Sequence, residues 1–430
     1  MGGMNLPLLD SLGIYVSIPF CRSKCTYCNF ASGVYPASEH ARYVDRLVEE
    51  IAGASEDARR RGVMLPSRVD TIYLGGGTPS LLDAALLSRI FDALRGEFAV
   101  AGDAEITMEC APGQLPLSVL DSMVEVGVNR VSLGVQSFID REAAQSGRLH
   151  KRSTVLDDLI HLRDAGIFNV NLDLIAGLAG QSDESWAESL GVLVESGVPH
   201  ASVYMLEVDE DSRLGREILA GGIRYQAALV PNEDAMARMY TQAIETLSAA
   251  GLVQYEISNF ARGGAESRHN MRYWQRRPYL GIGLDASSLL YEGGDGVCEM
   301  GDDTTAPCLM QSSTTASALI RAGSSGRASS LRMTSTSDLA EYMQGGEPVE
   351  CTRVNASQQL EEAWFLGLRL NSGVQIDHLR VEFGDALVEP SEAIAHRLAE
   401  TGLLTIEGDQ VRLTPQGRLL SNDVFQEFIH

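Results

Sequence analysis

The chain has 430 residues, and its 58 acidic against 34 basic side chains give it a formal charge of −24. Phosphates of nucleic acids and anionic membranes repel such a chain, so we expect neither as a partner. With two lysines and no GxxxxGK[ST] segment, an ordinary P-loop nucleotide triphosphatase is also excluded. We expect a cytoplasmic protein without a transmembrane segment, because no secretory signal opens the chain and no run reaches the roughly 18 apolar residues of a membrane span.

The region 1–290 alternates short β-like runs with longer amphipathic stretches. Its six predicted strands are Ile14–Pro19, Thr71–Leu74, Glu105–Glu109, Arg130–Gln136, Asn169–Ile175 and Ala201–Leu206. Helices are predicted over Leu81–Phe98 and Asn232–Ala250, and from an N-cap at Ser38 toward Arg61. Repeated βα units give a parallel sheet with right-handed crossovers. Six units are too few for a complete eight-stranded barrel, so the sequence predicts an α/β fold with an open, partial (β/α)6 TIM-like barrel.

Directly after the first strand, Cys21, Cys25 and Cys28 form a CxxxCxxC loop. Three thiolates on one short loop can bind one face of a metal centre, and such soft ligands select zinc or iron–sulfur clusters. Structural zinc takes four protein ligands, and no fourth ligand is spaced nearby. A four-iron cluster can use three cysteines and leave one iron open to a small molecule. The alternative is three unligated cysteines.

The predicted strands alternate between apolar and polar side chains instead of reading as continuous apolar runs. One face therefore packs on helices while the other is polar, which indicates a barrel wide enough to hold a ligand. Glu109, Gln136 and Asp173 stand at or near the C-terminal ends of three strands, where the active sites of barrels lie. Each could equally be a solvated residue beside a loop, but three in register favour a lined site.

The composition changes beyond the barrel. Residues 312–337 contain 13 Ser or Thr in 26 positions, so 291–337 is predicted to be a flexible insertion or linker. The elements predicted within 338–430 are helices over Gln358–Leu370, from Ile376–Val381 and over Pro390–Thr401, then strands Leu403–Ile406 and Gln410–Leu413. Three helices and a two-stranded wing are typical of a winged-helix domain. Six arginines against 14 acidic residues in 346–430, a net charge of −8, argue against DNA binding.

These motifs together resemble the radical S-adenosylmethionine (SAM) superfamily, through the cysteine loop and the later Gly75-Gly76-Gly77-Thr78-Pro79. Segments from Tyr15 to Cys21, Ser132 to Phe138 and Asp173 to Gly177 resemble its coproporphyrinogen dehydrogenase-like branch. The resemblance covers nearly the whole chain except the Ser/Thr-rich stretch. It implies a [4Fe–4S] cluster on Cys21, Cys25 and Cys28 whose open iron chelates SAM. It also implies an electron donor, since one electron cleaves SAM to a 5′-deoxyadenosyl radical.

The resemblance also implies the residues that contact SAM. They are Tyr15, Tyr27, Gly76, Gly77, Thr78, Glu109, Gln136, Arg148 and Asp173. Glu109 matches a ribose or amino contact, while Gln136, Arg148 and Asp173 match residues around a second SAM site. Tyr15 and Tyr27 match contacts that flank the cluster. The glycines could present backbone N–H groups to a ligand or merely form a tight turn, and Arg148 could be a plain surface arginine.

Two functional classes share this architecture. Oxygen-independent coproporphyrinogen III dehydrogenases continue the motif as CxxxCxxCxC, and here the last position is Phe30. HemW-type haem chaperones carry phenylalanine there and an HNxxYW motif, which resembles the segment His269 to Trp274. The haem-binding residues so implied are His269, Asn270, Tyr273 and Trp274. Imidazole is a usual haem-iron ligand, but a buried, hydrogen-bonded histidine among core aromatics is the alternative. Where this branch usually has a histidine, the chain has Ser287.

The resemblance thus implies a haem chaperone that binds a [4Fe–4S] cluster, SAM and haem and delivers haem to haem-requiring acceptor proteins. The propionates of haem need cationic partners, and a local basic island beside the motif could provide them. Its members are Arg268, Arg272, Arg276 and Arg277. The alternatives are a dehydrogenase that decarboxylates the propionates of coproporphyrinogen III and a radical SAM enzyme that acts on another substrate.

Overall fold

A computed structural model describes residues 10–292, 329–345 and 350–429. Its strands are β1 Ser11–Ile18, β2 Val63–Met64, β3 Arg68–Gly76, β4 Ala99–Cys110, β5 Arg130–Gln136, β6 Asn169–Ala176, β7 His200–Met205, β8 Val253–Gln254, β9 Asn259–Ala261, β10 Tyr279–Ile282, β11 Ser287–Glu292, β12 Ser330–Thr334, β13 Glu350–Val354, β14 Val374–Gln375, β15 Leu404–Glu407 and β16 Gln410–Leu413. Its α-helices are α1 Ala37–Arg60, α2 Ala84–Glu97, α3 Leu117–Glu125, α4 Asp140–Gln145, α5 Arg152–Asp164, α6 Asp183–Ser196, α7 Arg213–Leu219, α8 Glu233–Ala249, α9 Arg268–Trp274, α10 Leu339–Gln344, α11 Ala356–Arg369, α12 Ile376–Phe383, α13 Asp385–Glu400, α14 Pro415–Leu419 and α15 Ser421–Gln426. None of these described helices combines the length and the apolarity needed to cross a bilayer.

The described residues form one large sheet, in the order β13-β12-β11-β10-β1-β3-β4-β5-β6-β7-β9-β8, with β2 beside β11. Strands β1, β3, β4, β5, β6 and β7 are parallel neighbours in chain order, and helices connect them. These are the six predicted strands, so the partial barrel is confirmed. Strand β10 adds a seventh parallel strand on the other side of β1, and antiparallel strands extend both edges of the sheet.

The polar face of the parallel strands lies inside the barrel and is nearly as buried as the apolar face. Thr107, Ser132 and Asn171 are at most 3% exposed. Ser132 and Asn171 form hydrogen bonds in the lower barrel, between Asn171 Nδ2 and Ser132 Oγ at 2.7 Å and between His200 Nδ1 and Asn171 Oδ1 at 2.6 Å. Space for a ligand therefore remains at the C-terminal ends of the strands.

The C-terminal helices and wing follow the predicted order, with α11, α12 and α13 before the hairpin β15–β16. The hairpin gains a third strand, β14, that the sequence did not predict. A separate apolar core holds this part together, in which Trp364 stacks on Phe428 with ring centroids 4.7 Å apart. The helix predicted from Pro390 begins earlier, at Asp385 after Gly384. Likewise α1 begins at Ala37, and Ser38 is not its N-cap.

The predicted linker 291–337 differs from the structure at both of its ends. Residues 293–328 lie outside the described part of the chain, but Tyr291 belongs to β11 and Ser330–Thr334 is β12, which pairs with β11 and β13. Leu331 and Met333 are buried in the main core. The Ser/Thr-rich composition concealed this two-residue alternation of a strand, so the predicted boundary at 337 is too late.

Candidate cluster and cofactor site

The three-cysteine loop follows β1 at the C-terminal end of the parallel strands. Cys21, Cys25 and Cys28 are half-buried, and all three are free of disulfides. In the described ranges no three His, Cys, Asp or Glu side chains are grouped so as to hold one metal ion. A [4Fe–4S] cluster does not require that grouping, because each cysteine binds a different iron. Three free, soft donors on one loop fit such a cluster.

Contacts to two neighbouring segments fix the shape of this loop. Lys24 Nζ donates hydrogen bonds to the carbonyl oxygens of Phe30 and Ser32, the latter at 3.0 Å. A Cβ added to Gly147 would lie only 3.2 Å from the Cα of Cys25. Glycine at 147, where φ is +92°, therefore lets the turn before Arg148 approach the cysteines closely.

Two carboxylates lie at the strand ends, as the sequence predicted. Glu109 accepts a hydrogen bond from Tyr73 Oη at 2.9 Å, and Asp173 accepts one from Ser132 Oγ at 3.1 Å. A Cβ on Gly75 would come within 3.0 Å of the Glu109 carboxyl carbon, so the bare glycine makes room for that carboxyl. Burial raises the pKa of Asp173. Burial, with the nearby charge of Asp173, raises the pKa of Glu109 to about 7.

Arg148 and Gln136 meet above Gly134. A Cβ on this glycine would lie 3.0 Å from Arg148 Nη2 and 3.2 Å from Gln136 Nε2. Arg148 also donates to Tyr27 Oη at 3.1 Å. Burial lowers the pKa of Arg148, but nearby Tyr27, Cys25 and Asp173 outweigh that effect and raise it, so Arg148 belongs to the site. Gln136 Oε1 and Arg148 Nε are buried without a hydrogen-bond partner among the described residues. One free acceptor and one free donor fit the polar groups of SAM.

A cavity of about 300 Å³ lies against the cysteine loop. Tyr15 and Gly76 line it together with Phe30, Tyr273 and Asp285. The structure thus places two predicted SAM contacts on one cavity wall. The only charged group among the lining residues is the Asp285 carboxyl, so the cavity favours a cationic or hydrogen-bond-donating group over an anion.

Gly77 and Thr78 were predicted to contact SAM, but they hold the cysteine loop. The N–H of Gly77 donates to Ile18 O at 2.9 Å, and that of Thr78 donates to Phe20 O at 2.7 Å. The hydroxyl of Thr78 hydrogen-bonds to Cys21, which opposes the rise in the pKa of that thiol caused by burial. Neither N–H is free for a ligand, because the backbone after β3 pairs with the start of the loop.

The HNxxYW segment forms α9, which packs against the N-terminal ends of the strands, although the side chain of Tyr273 reaches the cavity described above. His269 is 0% exposed. Its Nδ1 lies 2.9 Å from Thr71 Oγ1 and its Nε2 lies 2.8 Å from Tyr273 Oη. Burial and the nearby charge of Arg272 lower its pKa to about 3. Both ring nitrogens are engaged, so binding of haem iron by His269, as predicted, would require one of these hydrogen bonds to break.

Trp274 of the motif and the basic island make packing and ion-pair contacts. The arginines concerned are Arg268, Arg272, Arg276 and Arg277. Arg272 and Arg277 pair with buried Asp70, Arg276 pairs with Glu382 at 2.9 Å, and Arg268 lies 4.0 Å from Asp70. The Arg369 guanidinium of α11 lies 4.3 Å from the Trp274 ring centroid, and Asn270 is half-buried on α9. These contacts hold the floor of the barrel, bury Arg272 and Arg276 and partly bury Arg277, whereas the Arg268 side chain stays 46% exposed.

Sequence reasoning missed several residues of the site. Tyr73 is the hydrogen-bond donor to Glu109, and its place on the polar face follows from the alternation Thr71, Tyr73, Gly75. Lys24 could have been noticed as a rare lysine inside the cysteine loop. The sequence around Asp285 carries no local signal for its role. Its φ of +58° and its position on the cavity wall depend on how β10 and β11 pair with each other.

Replacing Glu109 by glutamine will flatten the dependence of stability on pH. Between the ordinary pKa of 4.5 and the folded value of about 7, the native carboxyl holds a proton that the unfolded chain has lost. Stability therefore falls as the pH rises through this window, by up to about 3 kcal/mol from this group. Urea denaturation of the cluster-free protein between about pH 4.5 and pH 8 measures it. If the free energy of unfolding changed with pH in the same way for the wild type and for Glu109→Gln, the raised pKa of Glu109 would be contradicted.

Comparisons with known proteins agree with this geometry. Residues 15–193 match the model of the radical SAM superfamily, and residues 354–420 match that of the HemN C-terminal domain. The haem chaperone HemW of Lactococcus lactis is 30% identical over 420 residues, 96% of each chain. HemW of Mycobacterium tuberculosis is 32% identical over 424 residues, which cover 97% of this chain and 94% of that protein. Coproporphyrinogen III oxidase (HemN) of Escherichia coli, a radical SAM enzyme, has the same fold, with a TM-score of 0.76, 23% identity, and coverage of 97% of this chain and 90% of that one.

Proposed function

The chain belongs to the HemW family of the radical SAM superfamily, and on that premise we propose that it is a haem chaperone. It binds haem and passes it to haem-requiring acceptor proteins. The observation that carries this proposal against the enzymatic alternative is Phe30, two residues after Cys28 and 64% exposed on the rim of the cavity. The dehydrogenases that the chain resembles have a cysteine at this position.

Cys21, Cys25 and Cys28 would hold the [4Fe–4S] cluster, which when bound supplies the electron that cleaves SAM. Gln136 and Arg148 offer SAM one free acceptor and one free donor. The hydroxyl of Tyr27 fixes the Arg148 guanidinium, so it positions this donor. Glu109 and Asp173 add carboxyl acceptors, and Tyr15 and Gly76 line the adjoining cavity. We infer that a cytoplasmic electron donor serves the cluster and that nucleic acid is not a partner.

Shortening one side chain tests the SAM site. Gln136 has a φ of +69°, and asparagine tolerates this conformation, so Gln136→Asn withdraws the amide without straining the backbone. We expect SAM affinity to fall about fivefold, the worth of one hydrogen bond of about 1 kcal/mol, with a nearly unchanged melting temperature. Calorimetric titration of the cluster-loaded protein and a thermal melt give the two values. A lower melting temperature with full affinity would make Gln136 structural.

The chaperone proposal is tested by two assays on the same anaerobically reconstituted protein. A titration with haem, followed by the Soret band, will show binding at micromolar or tighter affinity with about one haem per chain. A product assay will show no protoporphyrinogen IX from coproporphyrinogen III. Robust turnover would favour the alternative, radical decarboxylation of the propionates, and a lack of haem binding would overturn the chaperone proposal.

A further inference from the structure

His269 and the neighbouring arginines are already paired, so a haem site away from α9 would leave these contacts intact. The strongest candidate is the hairpin of residues 213–229, which consists of α7 and the short 3-10 segment Arg224–Leu229. Five large apolar or aromatic side chains are exposed within its last twelve residues, among them Leu219 at 66% and Ile223 at 84%. The others are Ile218, Tyr225 and Leu229. This density of exposed apolar groups is typical of a binding surface.

The hairpin is anchored beside the cysteine loop. Leu214 and Ala227 are buried in a small apolar cluster, against which Tyr27 packs. The N–H of Leu214 donates to Thr26 O at 2.8 Å. In the segment just before the hairpin, Asp209 Oδ2 accepts a hydrogen bond from Asn29 Nδ2 at 2.8 Å. The inner side of the hairpin is therefore fixed to the loop that would carry the cluster, while its outer apolar side chains are left uncovered within the described chain.

The hairpin also carries the polar groups that haem requires. Arg213 and Arg224 are exposed, and neither guanidinium has an ion-pair or hydrogen-bond partner in the part of the chain that the structure describes. Between the apolar residues stands Tyr225, which with Gln226 adopts left-handed backbone angles, φ +56° and +59°. Strained residues of this kind collect at ligand sites, and a tyrosine oxygen is one of the protein ligands of haem iron.

We propose that haem binds on this hairpin, an inference that rests on the proposed chaperone function. The porphyrin face lies on Leu219 and Ile223, and the propionates pair with Arg213 and Arg224. The Tyr225 oxygen is the iron ligand. A porphyrin held on an exposed surface is open on one side, which leaves it accessible to an acceptor protein.

A haem titration of surface variants tests the apolar contact. Leu219→Ser/Ile223→Ser removes only exposed side chains, so the protein will fold normally, and we expect haem affinity to fall at least tenfold. The matched control is Leu117→Ser/Phe168→Ser, whose side chains are 63% and 68% exposed elsewhere, and it will bind haem like the wild type. Tyr225→Phe will move the Soret band, because it removes only the oxygen on the iron.

The propionate contacts are tested with a modified ligand. Arg213→Gln/Arg224→Gln will bind haem about tenfold more weakly, yet it will bind haem dimethyl ester, which lacks the carboxylates, as the wild type does. Wild-type binding with no effect of any hairpin variant would overturn this inference and leave the chaperone proposal standing. Failure of the wild type to bind haem would overturn both. If the hairpin variants bound haem with unchanged affinity but transferred it poorly to an apo-acceptor protein, the hairpin would instead be a docking surface for that protein.

Discussion

Alanine at Cys21, Cys25 or Cys28 will abolish the four-iron cluster in each case. The loop supplies three thiols to three irons, and no other cysteine of the described chain lies on it, so a lost ligand has no substitute. Iron and sulfide analysis of anaerobically reconstituted protein measures the effect as a fall from about four irons per chain to nearly none. SAM cleavage will be lost with the cluster, whereas haem binding on the 213–229 hairpin will persist.

Two cysteines serve as controls for this result. Cys110 is buried at the end of β4, where its thiol donates weakly to Met108 O at 3.8 Å and burial raises its pKa. Cys351 is exposed on β13. Alanine at either position will leave the iron content unchanged. Loss of the cluster in Cys110→Ala but not in Cys25→Ala would refute the assignment.

Replacing His269 by alanine will destabilise the fold by about 3 kcal/mol. The change leaves the hydroxyls of Thr71 and Tyr273 buried without their partner and opens a cavity beneath the barrel. Denaturation in urea measures the loss. The position of the Soret band of bound haem will not change, because both imidazole nitrogens are engaged inside the protein.

His378 provides the matched control, since it is exposed on α12 and its replacement by alanine will leave stability unchanged. A His269→Ala protein with wild-type stability and no Soret band would restore this residue as the iron ligand. The two readouts together separate a structural histidine from a haem ligand, which activity alone could not do.

The alternation of side chains was enough to predict the six central strands and the carboxylates at their ends. The same pattern placed Glu109, Gln136 and Asp173 at one end of the barrel, because parallel strands end on the same side. It could not predict β10 or β12, whose partners come from distant parts of the chain. Short strands of this kind are specified by their neighbours more than by their own residues.

Motifs were less reliable for the roles of individual residues. Gly77 and His269 belong to recognisable patterns, but a pattern does not state which N–H or ring nitrogen is free. In both cases a backbone or hydroxyl partner brought by another strand engages the group. Gln136 and Arg148 show the opposite case. Their buried Oε1 and Nε atoms have no hydrogen-bond partner among the described residues, and this could be recognised only in the folded structure.

Because of the contacts beneath the barrel, the C-terminal domain cannot be removed or exchanged independently of the barrel. Arg276 contacts Glu382 and Trp274 contacts Arg369 across the domain boundary. Removing the C-terminal domain would therefore deprive the buried Arg276 cation and the Trp274 indole ring of their partners. A barrel shortened at residue 345 would expose this surface and be prone to aggregate. Any exchange of C-terminal domains between relatives must therefore transfer the residues on both sides of this junction. The structural boundary between the two domains lies at the floor of the barrel and not in the connecting segment.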